Sequence, residues 1–265
     1  MLEFVTATRY DKRMKNGKTK PCLMAAERAE RADGTEVELV VKFSGGCERG
    51  VGGLVVEAIT AMFAADLELP VPEPLLVRVE PALIQLIPDA EIRDLCAASS
   101  NVAFGSTLLP PSHSVWIHSR AIPQPLQQQA LEIFAFDALL LNADRRPSNP
   151  NCQSDGRSFA IYDHELCFLP PLFAPAPWVP NGLEYLRAAG ATHLFQAELH
   201  GTLLELSRFA GAVEAITPAR VQEYVGALPP EWAAGDAVAA DAAAHLSALR
   251  DNIEAAITEV IRVLS

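Results

Sequence analysis

The hydrophobic pattern of this chain changes near Pro88, and that change limits the folds open to it. Before it, short β-branched runs surround one stretch of helical period; beyond it, apolar positions recur mostly at helical spacing. PCLMAAERAE and ADGTEVELVVKF read as a hairpin turning at Ala32-Asp33-Gly34, with VELVVKF as a strongly apolar strand. The glycines at 45, 46, 50, 52 and 53 read as a flexible connection. From Leu54 to Glu68, Val55, Ile59, Met62 and Phe63 fall on one helical face that stops before Pro70 and Pro72. LLVRV and ALIQLI read as two further strands. Five strands and one helix predict a small α+β lobe over 1–87, followed by a larger, mostly helical lobe over 88–265.

In the second part, LQQQALEIFAFDALLL predicts an amphipathic helix opened by Pro123 and Pro125. A polar loop, NADRRPSNPNCQSDGRS, leads from it to a short strand, FAIYD. LPPLFAPAPWVPNG reads as an ordered loop anchored by Phe173 and Trp178.

Charge and cysteine content exclude several function classes. The 265 residues carry a formal charge of −12, which disfavours nucleic acid and anionic lipid as partners. No apolar run is long enough to cross a bilayer. The first residues lack the apolar core of a signal peptide, so a cytoplasmic location is expected. Five scattered cysteines without C-x-x-C spacing argue against a disulfide framework or a zinc ribbon. The basic residues are unevenly placed. Arg9, Lys12, Arg13, Lys15, Lys18 and Lys20 face only Glu3 and Asp11 in the first twenty positions, and all five lysines lie at or before Lys42. A solvated basic face and a rim around a polyphosphate both fit this pattern.

The stretch from Asn142 to Phe168 carries the chemistry. Asp144 follows the apolar helix, Asn149 comes five residues later in the same loop, and Asp163 ends the strand FAIYD. One carboxylate can take the proton of an attacking hydroxyl, while a second carboxylate and an amide oxygen hold magnesium against phosphates. A hairpin between them would set Asn149 beside Asp163. The D-x-x-x-x-N spacing alone arises often by chance. Lys42 adds weight, because an ammonium at the end of an apolar strand needs a partner. Glu57, fifteen residues on, can supply it from the following helix. A lysine so paired meets ATP phosphates in kinases, whereas a plain surface salt bridge is the alternative. Asp137, on the apolar helix, suggests a supporting bond to the loop backbone or to Arg145.

These segments resemble the HipA-like kinases, in particular a shorter group without an extra N-terminal module. The similarity is carried over about residues 8 to 170 by KNGKTKP, VELVVKF, VVEAITAMFAADLELPVPEP, FGS at 104–106, FDALLLNADRRPSNPN and IYDHELCF. The resemblance implies a protein-kinase-like bilobal α+β fold, with a small antiparallel-sheet lobe and a larger helical one. It also implies an ATP- and Mg2+-dependent serine/threonine kinase acting on a protein substrate. On it, Gly17, Lys18, Thr19 and Lys20 match the loop over the phosphates, Lys42 the ATP lysine and Glu57 its partner. Asp144 matches the catalytic base, and Asn149 and Asp163 the metal ligands. The adenine is expected near Leu86 and Ile87. Arg145-Arg146 departs from the Arg-His or Ala-His of many relatives, and His164 follows the metal aspartate. A small-molecule or lipid-head-group kinase, and a nucleotide-binding pseudokinase or interaction module, remain alternatives.

Two decoys fall away. Gly17-Lys18-Thr19 lacks the glycine a P-loop needs at position 12, which is Lys. His164-Glu165 would need a histidine at 168 to open a zinc-binding helix, and that residue is Phe.

Overall fold

The computed structural model describes residues 2–15, 17–28, 36–118, 121–169, 175–187, 193–202 and 205–265. The expected turn at Ala32-Asp33-Gly34 and the expected anchor Phe173 lie outside them. The chain forms two compact units, the first of residues 1–62, 72–109 and 223–240, the second of 63–71, 110–222 and 241–265. The division differs from a single break after Ile87. Among the described residues, no helix is long and apolar enough to cross a membrane.

Unit 1 is built on five strands: β1 (Glu3–Arg13), β2 (Cys22–Arg28), β3 (Glu36–Lys42), β4 (Pro74–Arg78) and β5 (Val102–Thr107). They close into a barrel in the order β1-β2-β3-β5-β4, with β4 returning to β1. The expected all-antiparallel sheet is therefore corrected: β1 and β4 run parallel, Glu3 opposite Leu75 and Thr6 opposite Arg78. Closure removes the exposed edges that an open five-stranded sheet would leave. Two register shifts in β1, after Ala7 and after Tyr10, help the strand curve. Val5, Met24, Leu39, Val41, Val77 and Ile87 fill the core.

ALIQLI is a helix, not a strand. Pro81 opens α2 (Pro81–Leu86), since proline has no N–H to lose at a first helical turn. Asp89 then caps α3 (Ala90–Ala97), accepting from the N–H groups of Glu91 and Ile92. The fifth strand comes instead from Val102–Thr107. The glycine-rich run is not a loose connection either. Ser44–Gly46 forms a 3-10 turn, and Gly52 and Gly53 lie inside α1 (Val51–Asp66). Residues 223–240 join this unit through Trp232, whose buried indole N–H donates to the Val102 carbonyl at 2.8 Å.

Unit 2 contains a three-stranded sheet of β6 (Ser114–Val115), β7 (Cys152–Ser154) and β8 (Phe159–Ile161), in that order. Its long helix is α4 (Gln124–Leu139), begun by prolines as expected. It is not a one-sided helix, however, because Ala130 to Leu139 are buried all round. Both carboxylates in that stretch have arginine partners: Glu132 accepts from Arg208 Nε at 2.8 Å, and Asp137 from Arg145 Nε at 2.6 Å. A buried carboxylate needs such a partner, so apolar periodicity could not show this burial. The later helices are α5 (Gln196–Leu199), α6 (Ser207–Ala215), α7 (Pro218–Gly226), α8 (Asp236–Asp251) and α9 (Ile253–Leu264). Trp178 packs edge-on against His245 of α8, as an anchor of the proline-rich loop should.

Candidate active site

In unit 1, Lys42 is the last residue of β3 and Glu57 lies about two turns into α1. Their side chains form a buried ion pair, Lys42 Nζ to Glu57 Oε1, with the two residues 7% and 1% exposed. The surface salt bridge is thus excluded. Each charge compensates the burial of the other, which neither could bear alone.

The Gly17–Lys20 segment turns between β1 and β2. Gly17 has φ 111°, and a side chain there would begin 2.8 Å from the Pro21 ring, so glycine is required. Thr19 is buried, with its carbonyl oxygen only 2.2 Å from where a Cβ on Gly46 would lie. The turn is therefore seated on the segment that follows Lys42. Lys18 is exposed. Lys20 pairs with Glu91 of α3, which also accepts from Arg13 at 2.8 Å. The hydrogen bond and charge of Lys20 hold the Glu91 carboxyl below its usual range. Part of the basic rim is thus committed within the protein. Leu86, 77% exposed, ends α2, whereas Ile87 is buried in the core. The two side chains do not make a common apolar face.

In unit 2, the end of α4 aims the next loop. Leu141 takes a left-handed conformation, φ 60°, and Asn142 N–H returns to the Asp137 carbonyl at 2.8 Å. That cap stops the helix and turns the chain toward Asp144. Further donors close the same end: Phe168 N–H reaches the Leu140 carbonyl at 2.7 Å, and His245 Nε2 the Leu139 carbonyl at 2.8 Å. Phe168 thereby ties the segment after Asp163 to the start of the Asp144 loop.

Asp144 sits among donors. Its Oδ2 accepts from Asn149 Nδ2 at 2.7 Å and Asn151 Nδ2 at 3.2 Å, and its Oδ1 from Arg146 Nη2 at 3.2 Å. With the Asn149 nitrogen engaged, its side-chain oxygen is the atom left for a cation. The β7–β8 hairpin pairs Cys152 with Ile161, and Tyr162 N–H continues the ladder to the Asn151 carbonyl at 3.2 Å. Asp163 follows directly, in a left-handed conformation with φ 64°. The expected hairpin is present. Asp163 and Glu165 bring carboxylate oxygens within 4.8 Å of each other, while His164 is buried edge-on against Phe136. Asp163 and Glu165 offer carboxylate oxygens close together, hard donors of the kind that magnesium or calcium prefers.

Behind the loop, Asp137 makes the expected bond to Arg145 and two others, from Asn142 Nδ2 at 2.7 Å and His193 Nε2 at 2.9 Å. Burial by itself would raise the Asp137 carboxyl, but the Arg145 charge and the His193 hydrogen bond outweigh it and hold it below the ordinary carboxylate range. On His193 burial acts the other way and pulls the imidazole down. A carboxyl lowered in the folded state adds stability above its unfolded pKa, about 3.9 for Asp. That stability is lost as pH falls through the folded value. The stability advantage of wild type over Asp137→Asn in urea titrations should therefore shrink below about pH 4. A difference that stayed constant into acid would contradict the ionised state of Asp137.

Sequence reading missed Asn151, Glu165 and His193. The second asparagine of Asn-Pro-Asn and the acid two places after Asp163 were local hints. His193 left none, because it meets Asp137 only in the fold.

A family model described as HipA-like kinase matches residues 9–260. No curated protein matches the chain. Among solved structures, the crystal structure of a Helicobacter pylori proinflammatory kinase, CtkA, aligns with a TM-score of 0.56 at 11% identity, covering 99% of each chain. At that identity the likeness is one of fold.

Proposed function

Because this chain belongs to the HipA-like kinase family, and is therefore a phosphotransferase, we propose that it transfers the γ-phosphate of ATP to a serine or threonine hydroxyl of a protein. The observation that carries the reading is the Asp144 carboxylate, oriented by Asn149 and Asn151 beside the hairpin that ends at Asp163. Asp144 accepts the proton of the attacking hydroxyl. Asn149 and Asp163 hold magnesium, which supplies positive charge against the phosphates. Glu57 fixes the Lys42 ammonium for the phosphates, and Gly17 to Thr19 with Lys18 cover them. The fold proposed is the two-lobed one of protein kinases. Neither Leu86 nor Ile87 gains support as an adenine contact from its surroundings, so the nucleotide proposal rests on the phosphate-binding residues.

Ligand that binds only the folded state raises the melting temperature. Mg-ATP should therefore stabilise the protein against heat, and AMP should do so far less. Equal shifts with both, or none with either, would remove the nucleotide assignment. Labelled ATP added with cell lysate then reads the acceptor. A labelled protein band supports the proposal, a labelled small molecule moves the acceptor to a metabolite or head group, and no transfer leaves a nucleotide-binding module.

A further inference from the structure

Asp137 is fully buried, yet side chains from three places in the chain converge on it. Asn142 donates to Oδ1, Arg145 donates Nε to Oδ2 and Nη2 to Oδ1, and His193 donates Nε2 to Oδ2. The His193 tautomer is set by its other nitrogen, since Nδ1 accepts the Phe195 N–H at 3.2 Å. With Nε and Nη2 turned to Asp137, Arg145 presents Nη1 to two backbone carbonyls, those of Asn151 and Tyr162. These two residues face each other at the end of the β7–β8 hairpin, two positions after Asn149 and one before Asp163. Arg145 itself directly follows Asp144, and its own carbonyl accepts from Leu194 N–H at 3.0 Å, next to His193.

We infer that Asp137, Arg145 and His193 are positioning residues that hold the loop carrying Asp144 and Asn149 in register with the hairpin that leads to Asp163. The inference deepens the proposed function and rests on it for the roles of those three residues. Two features set this arrangement apart from an ordinary buried ion pair. The guanidinium fork bridges one carboxylate and both strands of the hairpin, which a single ammonium could not do. In addition, Leu141, Asn151 and Asp163 all hold positive φ, at 60°, 43° and 64°. Such conformations are uncommon outside glycine, less so for Asn and Asp than for Leu141, and a fixed surrounding network helps to hold them. Arg146 shows the contrast: its side chain is exposed and donates to Asp144.

Arg145→Lys keeps a positive charge opposite Asp137 but loses the fork. Its kcat should fall by about 10–100-fold, the range typical of residues that orient metal-site ligands, with KM for ATP changed far less. Combined with Asp144→Asn it should add little, because both changes act on the same step. Amide exchange of Asp144 and Tyr162 should speed up while helix amides of α4 stay protected. An unchanged kcat, or a loss fully additive with Asp144→Asn, would overturn the inference. If Arg145→Lys does not fold, His193→Phe removes one donor and leaves the ion pair; it should lower kcat several-fold, and wild-type turnover would remove His193 from the set. Should the wild-type protein transfer no phosphate, the proposed function fails. The exchange measurement still decides the positioning, since unaltered protection at Asp144 and Tyr162 would refute it.

Discussion

Asp144→Asn is expected to lower phosphotransfer turnover by about 10²–10⁴-fold, the usual cost of losing a positioned general base, with little change in Mg-ATP affinity. The substitution suits its surroundings. Asparagine can keep its oxygen toward the amides of Asn149 and Asn151; its new NH2 replaces the oxygen that accepted from Arg146, a contact that this exposed arginine can exchange for water. The local fold should therefore survive, and the loss should be in proton acceptance. Asp163→Asn should behave differently. Removing a negative metal ligand weakens Mg-ATP binding and turnover together, and excess magnesium should partly restore both. Magnesium titrations of the two variants in single-turnover assays test the assignment. Rescue of Asp144→Asn but not Asp163→Asn would exchange their roles.

Lys42→Met should have the second large effect, and on stability as well as nucleotide use. It leaves Glu57 charged and buried without its ammonium. Breaking a buried pair from one side costs about 3–5 kcal/mol. Replacing both partners removes that penalty, so Lys42→Met/Glu57→Leu should regain much of the stability of the single variant. It should not regain nucleotide binding, because the phosphate-facing charge is still missing. Denaturant unfolding and ATP titration of wild type, Lys42→Met, Glu57→Leu and the double variant separate the two effects. Strictly additive stability losses would show that Lys42 and Glu57 do not depend on each other. Nucleotide binding restored in the double variant would remove Lys42 from the phosphate site.

The features legible in the sequence were those whose cause lies within one loop or between neighbouring elements. Lys42 at the end of an apolar strand, with Glu57 in the next helix, predicted a pair that is present and buried. Asp144 and Asn149, five residues apart, meet because a short polar loop leaves them little choice. The hairpin leading to Asp163 follows from FAIYD and the polar stretch before it. In each case, backbone propensity and short chain length restrict the geometry enough to be read directly.

What only tertiary structure decided were the choices that local propensity leaves balanced. ALIQLI is apolar and short enough for either strand or helix, and Pro81 together with barrel closure by Val102–Thr107 settled it as α2. The parallel pairing of β1 with β4 joins residues some seventy positions apart, with no periodicity to announce it. Lys20 meets Glu91 across a similar separation, which turned part of an apparent phosphate rim into an internal contact. Asp137 was expected to bond the loop backbone or Arg145, and it does; its complete burial and its third partner, His193, were decided by packing. A sequence states which groups must find partners, since burying them alone is too costly. Packing decides which distant segment brings the partner.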